Sequence, residues 1–141
     1  MEGLPMSTEA VEQRVDALRQ TIVALVRRDG PDLSARQLGV FLISYLEADA
    51  QTVRGLAANL NVSKPAITHA LDRLSEFDLV RRKTDPLDRR SVLVQRTMAG
   101  AGFLRDLKKI VAEAGKAAHT MPNNAGRNAP PWATGAIRAT F

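Results

Sequence analysis

The 141-residue chain contains no cysteine, and that absence removes several kinds of chemistry at once. A disulfide framework, an iron–sulfur cluster, a thiol nucleophile and a thiol redox sensor all need the residue. Histidine is nearly as scarce. His69 and His119 cannot build a structural zinc site unless several carboxylates converge on them. No apolar run approaches the ~18 residues that span a bilayer, and Met1-Glu2-Gly3-Leu4-Pro5 lacks the basic and apolar regions of a signal peptide. A reducing, cytoplasmic setting away from membranes is therefore expected. Missing too are a glycine-rich phosphate loop, a paired-carboxylate or nucleophile–base motif, and any internal repeat. The chain reads as a non-enzyme without metal or cofactor.

What is present is an ordinary globular composition, 45% hydrophobic and 25% charged, at a length that suits one compact domain. The formal charge is +5, and its distribution is uneven. Residues 1–50 carry five basic and eight acidic groups; residues 51–96 carry nine and five; residues 97–141 carry six and two. An acidic first third followed by a basic remainder suggests a surface that faces a polyanion.

Ser7 or Thr8 can cap a first helix whose apolar stripe is Val11, Val15, Leu18, Ile22, Leu25 and Val26, ended by Gly30-Pro31. That stripe is either core or a dimer seam, and a long terminal helix with little domain to pack on favours the seam. Ser34 and Gln37 have capping-box spacing for a second helix, apolar nearly all round from Leu38 to Leu46 and hence central. Thr52 caps a short third helix over about 53–60. Asn61-Val62 turns the chain, and Ser63 caps a fourth helix with Pro65 in its first turn. The fourth helix should bury Ile67, Ala70, Leu71 and Leu74 and leave Lys64, Thr68, His69, Asp72 and Arg73 outside. Two short β-type runs, 79–83 and 91–95, flank the turn composition Thr84-Asp85-Pro86-Leu87-Asp88. A fifth helix, capped by Thr97, should run to about residue 118 on Phe103, Leu104, Leu107, Ile110 and Val111, with Gly100 and Gly102 weakening its first turns. Beyond it the Pro-, Gly- and Asn-rich, acid-free segment reads as a flexible basic tail that Trp132, Ile137 and Phe141 could pin.

A short helix, a tight turn and a second capped helix with a polar outer face make a helix-turn-helix, and the basic hairpin after it makes the unit winged. The fold class is mainly α with a small β-hairpin wing. Such a helix fits the major groove of double-stranded DNA, and its N-terminal N–H groups bind phosphate. Ser63, Lys64 and Thr68 can donate to phosphates and bases, while His69 and Arg73 can reach purine acceptors or the backbone. The wing adds Arg81, Arg82, Lys83, Arg89, Arg90 and Arg96, and arginine entering a narrow minor groove gains from its negative potential. Asp88 is expected to orient a neighbouring guanidinium and so preset the wing tip.

The stretches LSARQLGVFL, TVRGLAANLNVSKPAITHALDRL and DLVRRKTDPLDRRSVLVQRTMAG, covering residues 33–100, resemble the MarR family of bacterial transcriptional regulators. The resemblance implies a winged helix-turn-helix that dimerises through its terminal helices and binds palindromic operators. By position, Ser63, Lys64, Pro65, Thr68 and His69 match the recognition helix, and Arg89 and Arg90 the wing tip. Position 69 is commonly arginine in this pattern, so histidine shortens that contact. Family members generally place two helices after the wing, whereas this chain offers one convincing helix there. Many relatives are relieved by small aromatic acids; nothing in this sequence identifies such a pocket, so a small-molecule effector stays open.

The expected organisation is thus an N-terminal dimerisation helix (1–32), a DNA-binding domain (33–96), a C-terminal dimerisation helix (97–118) and a tail (119–141). The function expected is that of a homodimeric, sequence-specific DNA-binding regulator acting as a repressor. The alternative is a winged-helix protein–protein module, an adaptor or antirepressor that reuses the DNA surface.

Overall fold

The computed structural model describes residues 6–120, with side chains to residue 116. Residues 121–141, and with them Trp132, Ile137 and Phe141, lie outside the described residues, as does the side chain of His119. Five helices and one hairpin follow in the order α1 (Thr8–Arg27), α2 (Ala35–Leu46), α3 (Val53–Leu60), α4 (Lys64–Glu76), β1 (Val80–Thr84), β2 (Val92–Arg96) and α5 (Met98–Thr120). The mainly helical winged architecture expected from the sequence is present. Among the described residues no helix is long and apolar enough to cross a membrane.

Side-chain caps set the helix starts. The hydroxyls of Ser7, Thr52 and Ser63 each accept an N–H three residues on, from Ala10, Gly55 and Ala66. Ser34 and Gln37 close a reciprocal capping box. Two helices end on a left-handed residue. Asn61 (φ 53°) follows α3, with Val62 N–H donating to Ala57 O, and Asp78 (φ 55°) follows α4, with Leu79 N–H donating to Leu74 O. The first ending makes the turn between α3 and α4; the second releases the chain into β1. Asparagine and aspartate tolerate this conformation better than other residues with a side chain.

The core joins α2, α3, α4, the hairpin root and the start of α5. Phe41, Leu56, Ile67, Leu71, Leu74, Val40 and Val80 are its fully buried large side chains. Helix α4 buries the four residues its spacing indicated. Helix α2 is central, but Leu46 at its last turn is 62% exposed, because the chain turns away there before any element covers it. The strands sit one residue later than the sequence runs suggested. Buried Leu79 belongs to the α4 ending, and Val80↔Arg96 is the first strand pair.

Gly100, expected to weaken the start of α5, instead makes that start possible. A Cβ at this position would overlap the Tyr45 hydroxyl and the Leu79 carbonyl. That hydroxyl donates to Leu79 O at 2.6 Å and accepts from Thr97 N–H at 2.9 Å, so one buried phenol joins α2, the hairpin root and α5. Thr97 caps α5 through Gly100 N–H.

Helix α1 packs on α5. Arg28, just past its end, bonds Asp106 at 3.3 Å and stacks over Phe103. Thr21 is buried, its hydroxyl satisfied by Ala17 O at 2.8 Å. The stripe Val11, Val15, Leu18, Ile22 and Val26 faces outward, with Val15 and Leu18 each 59% exposed. Leu25 of the expected stripe is half-buried, and with Ile22 and Val26 it borders Leu33 and Phe103 of its own protomer, so the stripe is partly covered there and open along Val11, Val15 and Leu18.

Candidate nucleic-acid interface

Helix α4 presents Ser63, Lys64, Pro65 and His69 as exposed residues, with Thr68 half-buried beside them. Its first turn carries no acidic residue, so nothing offsets the positive end of the helix dipole. The Ser63 hydroxyl accepts from Ala66 N–H at 3.2 Å and keeps its own proton available to an outside acceptor.

The hairpin projects past α4. Its register pairs Arg81 with Gln95, Arg82 with Val94 and Lys83 with Leu93. Beyond buried Val80 every β1 side chain is exposed. The tip is shaped by two aspartates. Asp85 Oδ1 accepts Leu87 N–H at 2.9 Å, and Asp88 Oδ1 accepts Arg90 N–H at 3.1 Å. Asp88 thus presets the tip through the backbone of Arg90, whereas a guanidinium was the expected partner. Both arginine side chains at the tip have no partner among the described residues.

The cations divide into two sets. Arg73 bonds Glu76 at 2.9 Å and lies over the Phe77 ring, Arg81 reaches Asp78 at 3.4 Å, and Arg82 reaches Asp72 at 2.6 Å. Arg54 at the start of α3, Lys64, Lys83, Arg89 and Arg90 are exposed and have no side-chain partner among the described residues. Arg96, counted with the wing in the sequence, belongs to neither set. It donates to Ser44 O at 2.9 Å and Glu47 O at 2.7 Å and lies over Tyr45, so it closes the carboxyl end of α2. Arg54 went unnoticed as a candidate because a single arginine beside a helix cap carries no pattern. The Asp72–Arg82 tie had a signal in strand period: Arg82 shares a face with buried Val80, and that face meets α4.

Away from this surface, a cavity of about 80 Å³ lies between Ile22, Leu25 and Val26 of α1 and the Leu33, Leu38 and Phe103 side chains, with Pro31 and Asp32 also at its lining. No local pattern in the sequence marks it, since its lining comes from three separate elements.

Residues 39–92 match the model of the MarR family. The HTH-type transcriptional regulator MhqR of Bacillus subtilis is 29% identical over 75 residues, which cover 53% of this chain and 51% of that protein. The chain thus spans about half the length of that relative. A mutant of MarR from E. coli is 26% identical and superposes with a TM-score of 0.60, over 89% of this chain and 90% of its own. The S. aureus MepR–DNA complex, at 19% identity, shares the fold with a TM-score of 0.57, over 73% of this chain and 79% of the other. The matched segment runs from within α2 to the start of β2, the likeness of fold continues on both sides of it, and over this region the chain is similar to the MarR family.

Proposed function

We propose that the chain is a DNA-binding transcriptional regulator, a homodimer that represses by occupying a palindromic operator. The observation that carries this reading is the set of unpartnered cations, Lys64 on α4 and Arg89 and Arg90 on the wing tip, flanking a polar helix face free of first-turn acid. In this reading α4 enters the major groove. Ser63 and Lys64 meet phosphate there, and Pro65, Thr68 and His69 meet base edges. Arg89 and Arg90 enter the adjacent minor groove. Arg73, Arg81 and Arg82 carry carboxylate partners, and Asp88 holds the tip, so these four shape the surface.

The outward stripe of α1 supports the dimer. Five apolar residues aligned along one helix face are an association surface in want of a second copy. Two copies place their α4 helices on half-sites about one DNA turn, roughly 34–36 Å, apart. Such a protein binds and does not catalyse, and its DNA partner puts it in the cytoplasm. The cavity beside Phe103 is the place for a small-molecule effector. Since it is smaller than the ~150 Å³ that holds benzene, an effector has to widen it.

Genomic fragments retained by the purified protein at physiological salt would supply the operator. On that fragment Arg90→Ala should weaken binding about tenfold, the low end for loss of a good arginine contact, with an unchanged melting temperature. Unchanged affinity removes the wing from the mechanism. Retention of no fragment at all favours the protein–protein module.

A further inference from the structure

The wing needs something to fix its direction. A two-stranded hairpin is marginally stable by itself, and here its buried residues are Val80 at the root and Val94 in mid-strand opposite Arg82. The two edges are secured differently. On the β2 side the anchor is backbone: Val94 N–H donates to Gln51 O at 2.9 Å, and Thr52 bridges to Leu93. On the β1 side, outward of Val80, Arg81 pairs with Asp78 at the adjoining turn, and Arg82 Nη2 reaches across to Asp72 Oδ1 on α4 itself.

Asp72 is an unusual residue to find here. It lies on the outer face of α4, one turn beyond Thr68 and His69 and exposed. A bare carboxylate on a surface that meets DNA repels phosphate or selects a cytosine amino group. Its partner removes that charge from play. The strand alternation that buries Val80 aims Arg82 at α4, while Arg81 and Lys83 take the opposite face. Arg82 is also the most covered of the paired wing arginines, its side chain 34% exposed against 68% for Arg81.

We infer that Asp72 and Arg82 form a brace that sets the angle between wing and recognition helix, making both of them positioning residues for DNA selectivity. This rests on the DNA-binding reading above and adds to it. The acid on the recognition helix tightens discrimination without touching a base, by holding Arg89 and Arg90 where the minor groove of a correctly seated site will be.

The brace predicts opposite signs on two DNAs. Asp72→Asn removes a negative charge and frees a guanidinium, so binding to a random-sequence 30-base-pair duplex should strengthen or stay the same. Binding to a genomic fragment retained by the wild-type protein should weaken roughly threefold, near the upper range for a solvent-exposed ion pair. Arg82→Gln should weaken binding to the fragment similarly, and the double variant should be no worse than either single one. The exchanged pair, Asp72→Arg with Arg82→Asp, should recover most of the selectivity. Equal effects on both DNAs, or single-variant losses that multiply in the double variant, overturn the brace.

A readout without DNA separates this inference from the function it rests on. In the free protein, Asp72→Asn should speed amide exchange across β1 and β2 several-fold while leaving the interior of α4 unchanged. Unchanged exchange in the wing overturns the brace even where DNA binding holds. Faster exchange upholds the brace even if wild type retains no DNA, the result that sinks the regulator reading alone.

Discussion

The winged lobe and α1 put similar apolar side chains to opposite use. In the lobe, Leu56, Ile67, Leu71 and Leu74 are lost to solvent completely; on α1, Val15, Leu18 and Val26 remain more than half exposed. Helix α1 meets its own protomer through Thr21 and Leu25, with Arg28 just past its end, and leaves Val11, Val15 and Leu18 facing away. Helical spacing alone does not tell core from interface, since both need an apolar stripe at the same period. The difference lies in what the remaining elements are able to cover. The lobe closes on itself, whereas much of the α1 stripe stays exposed among the described residues, which is why a second copy is proposed to cover it.

Truncation inside the lobe is the strongest way to sharpen that contrast. Leu71→Ala should cost about 2–5 kcal/mol in urea unfolding, the range for an aliphatic side chain lost from a closed core. On α1 the corresponding insult is to association. Leu18→Glu should weaken the proposed dimer by roughly 3 kcal/mol, about a hundredfold in its dissociation constant, because a two-fold interface then desolvates two unpaired carboxylates. Sedimentation should show a monomer with unchanged helix content. Loss of helix content instead would place Leu18 in the fold and erase the contrast.

A third change tests the joint between the regions. Tyr45→Phe keeps the ring stacked on Phe41, 4.5 Å away, and deletes the hydroxyl shared by Leu79 O and Thr97 N–H. About 1–3 kcal/mol should be lost in thermal unfolding, the cost of leaving a buried group unpaired. The smallest effect belongs to Asp16. Hydrogen bonds from Arg19 and then Gln20 hold its carboxyl below the usual range. A lowered folded pKa stabilises above the unfolded value, about 3.9, and that contribution fades as the pH falls through the folded one. Asp16→Asn should therefore cost only a few tenths of a kcal/mol at neutral pH and nothing in acid, read from melting temperatures at both pH values.

The parts of this molecule that are legible in sequence are those written locally. Caps announce helix starts because a hydroxyl and the N–H it accepts lie three residues apart, and the buried set of α4 follows from period alone. Gly100 misleads for the opposite reason. Its lack of a side chain answers Tyr45, far away in the chain, while local propensity marks it only as a weak helix former. Arg96 reads as a wing cation by adjacency and in fact holds carbonyls at the end of α2. The arginines of α4 and the hairpin look alike in sequence, and only tertiary placement sorts them. Asp72 claims Arg82 across the gap between helix and strand, and Asp78 claims Arg81 at the turn. The Arg73–Glu76 spacing was visible, but an exposed helical pair and a phosphate contact look alike until the ring of Phe77 is seen beneath the guanidinium.

The division of cations into free and partnered is the centre of this account, and a salt series on one operator fragment tests it most directly. Each phosphate neutralised by a protein cation, whether from outside the backbone or from within the narrow minor groove between the two strands, contributes about 0.9 to the slope of log affinity against log salt, so removing one such cation per protomer of a dimer should lower the slope by about 2. Arg90→Ala should show that loss together with weaker binding, while Arg73→Gln should leave the slope unchanged. An equal drop for Arg73→Gln, or none for Arg90→Ala, would contradict the division.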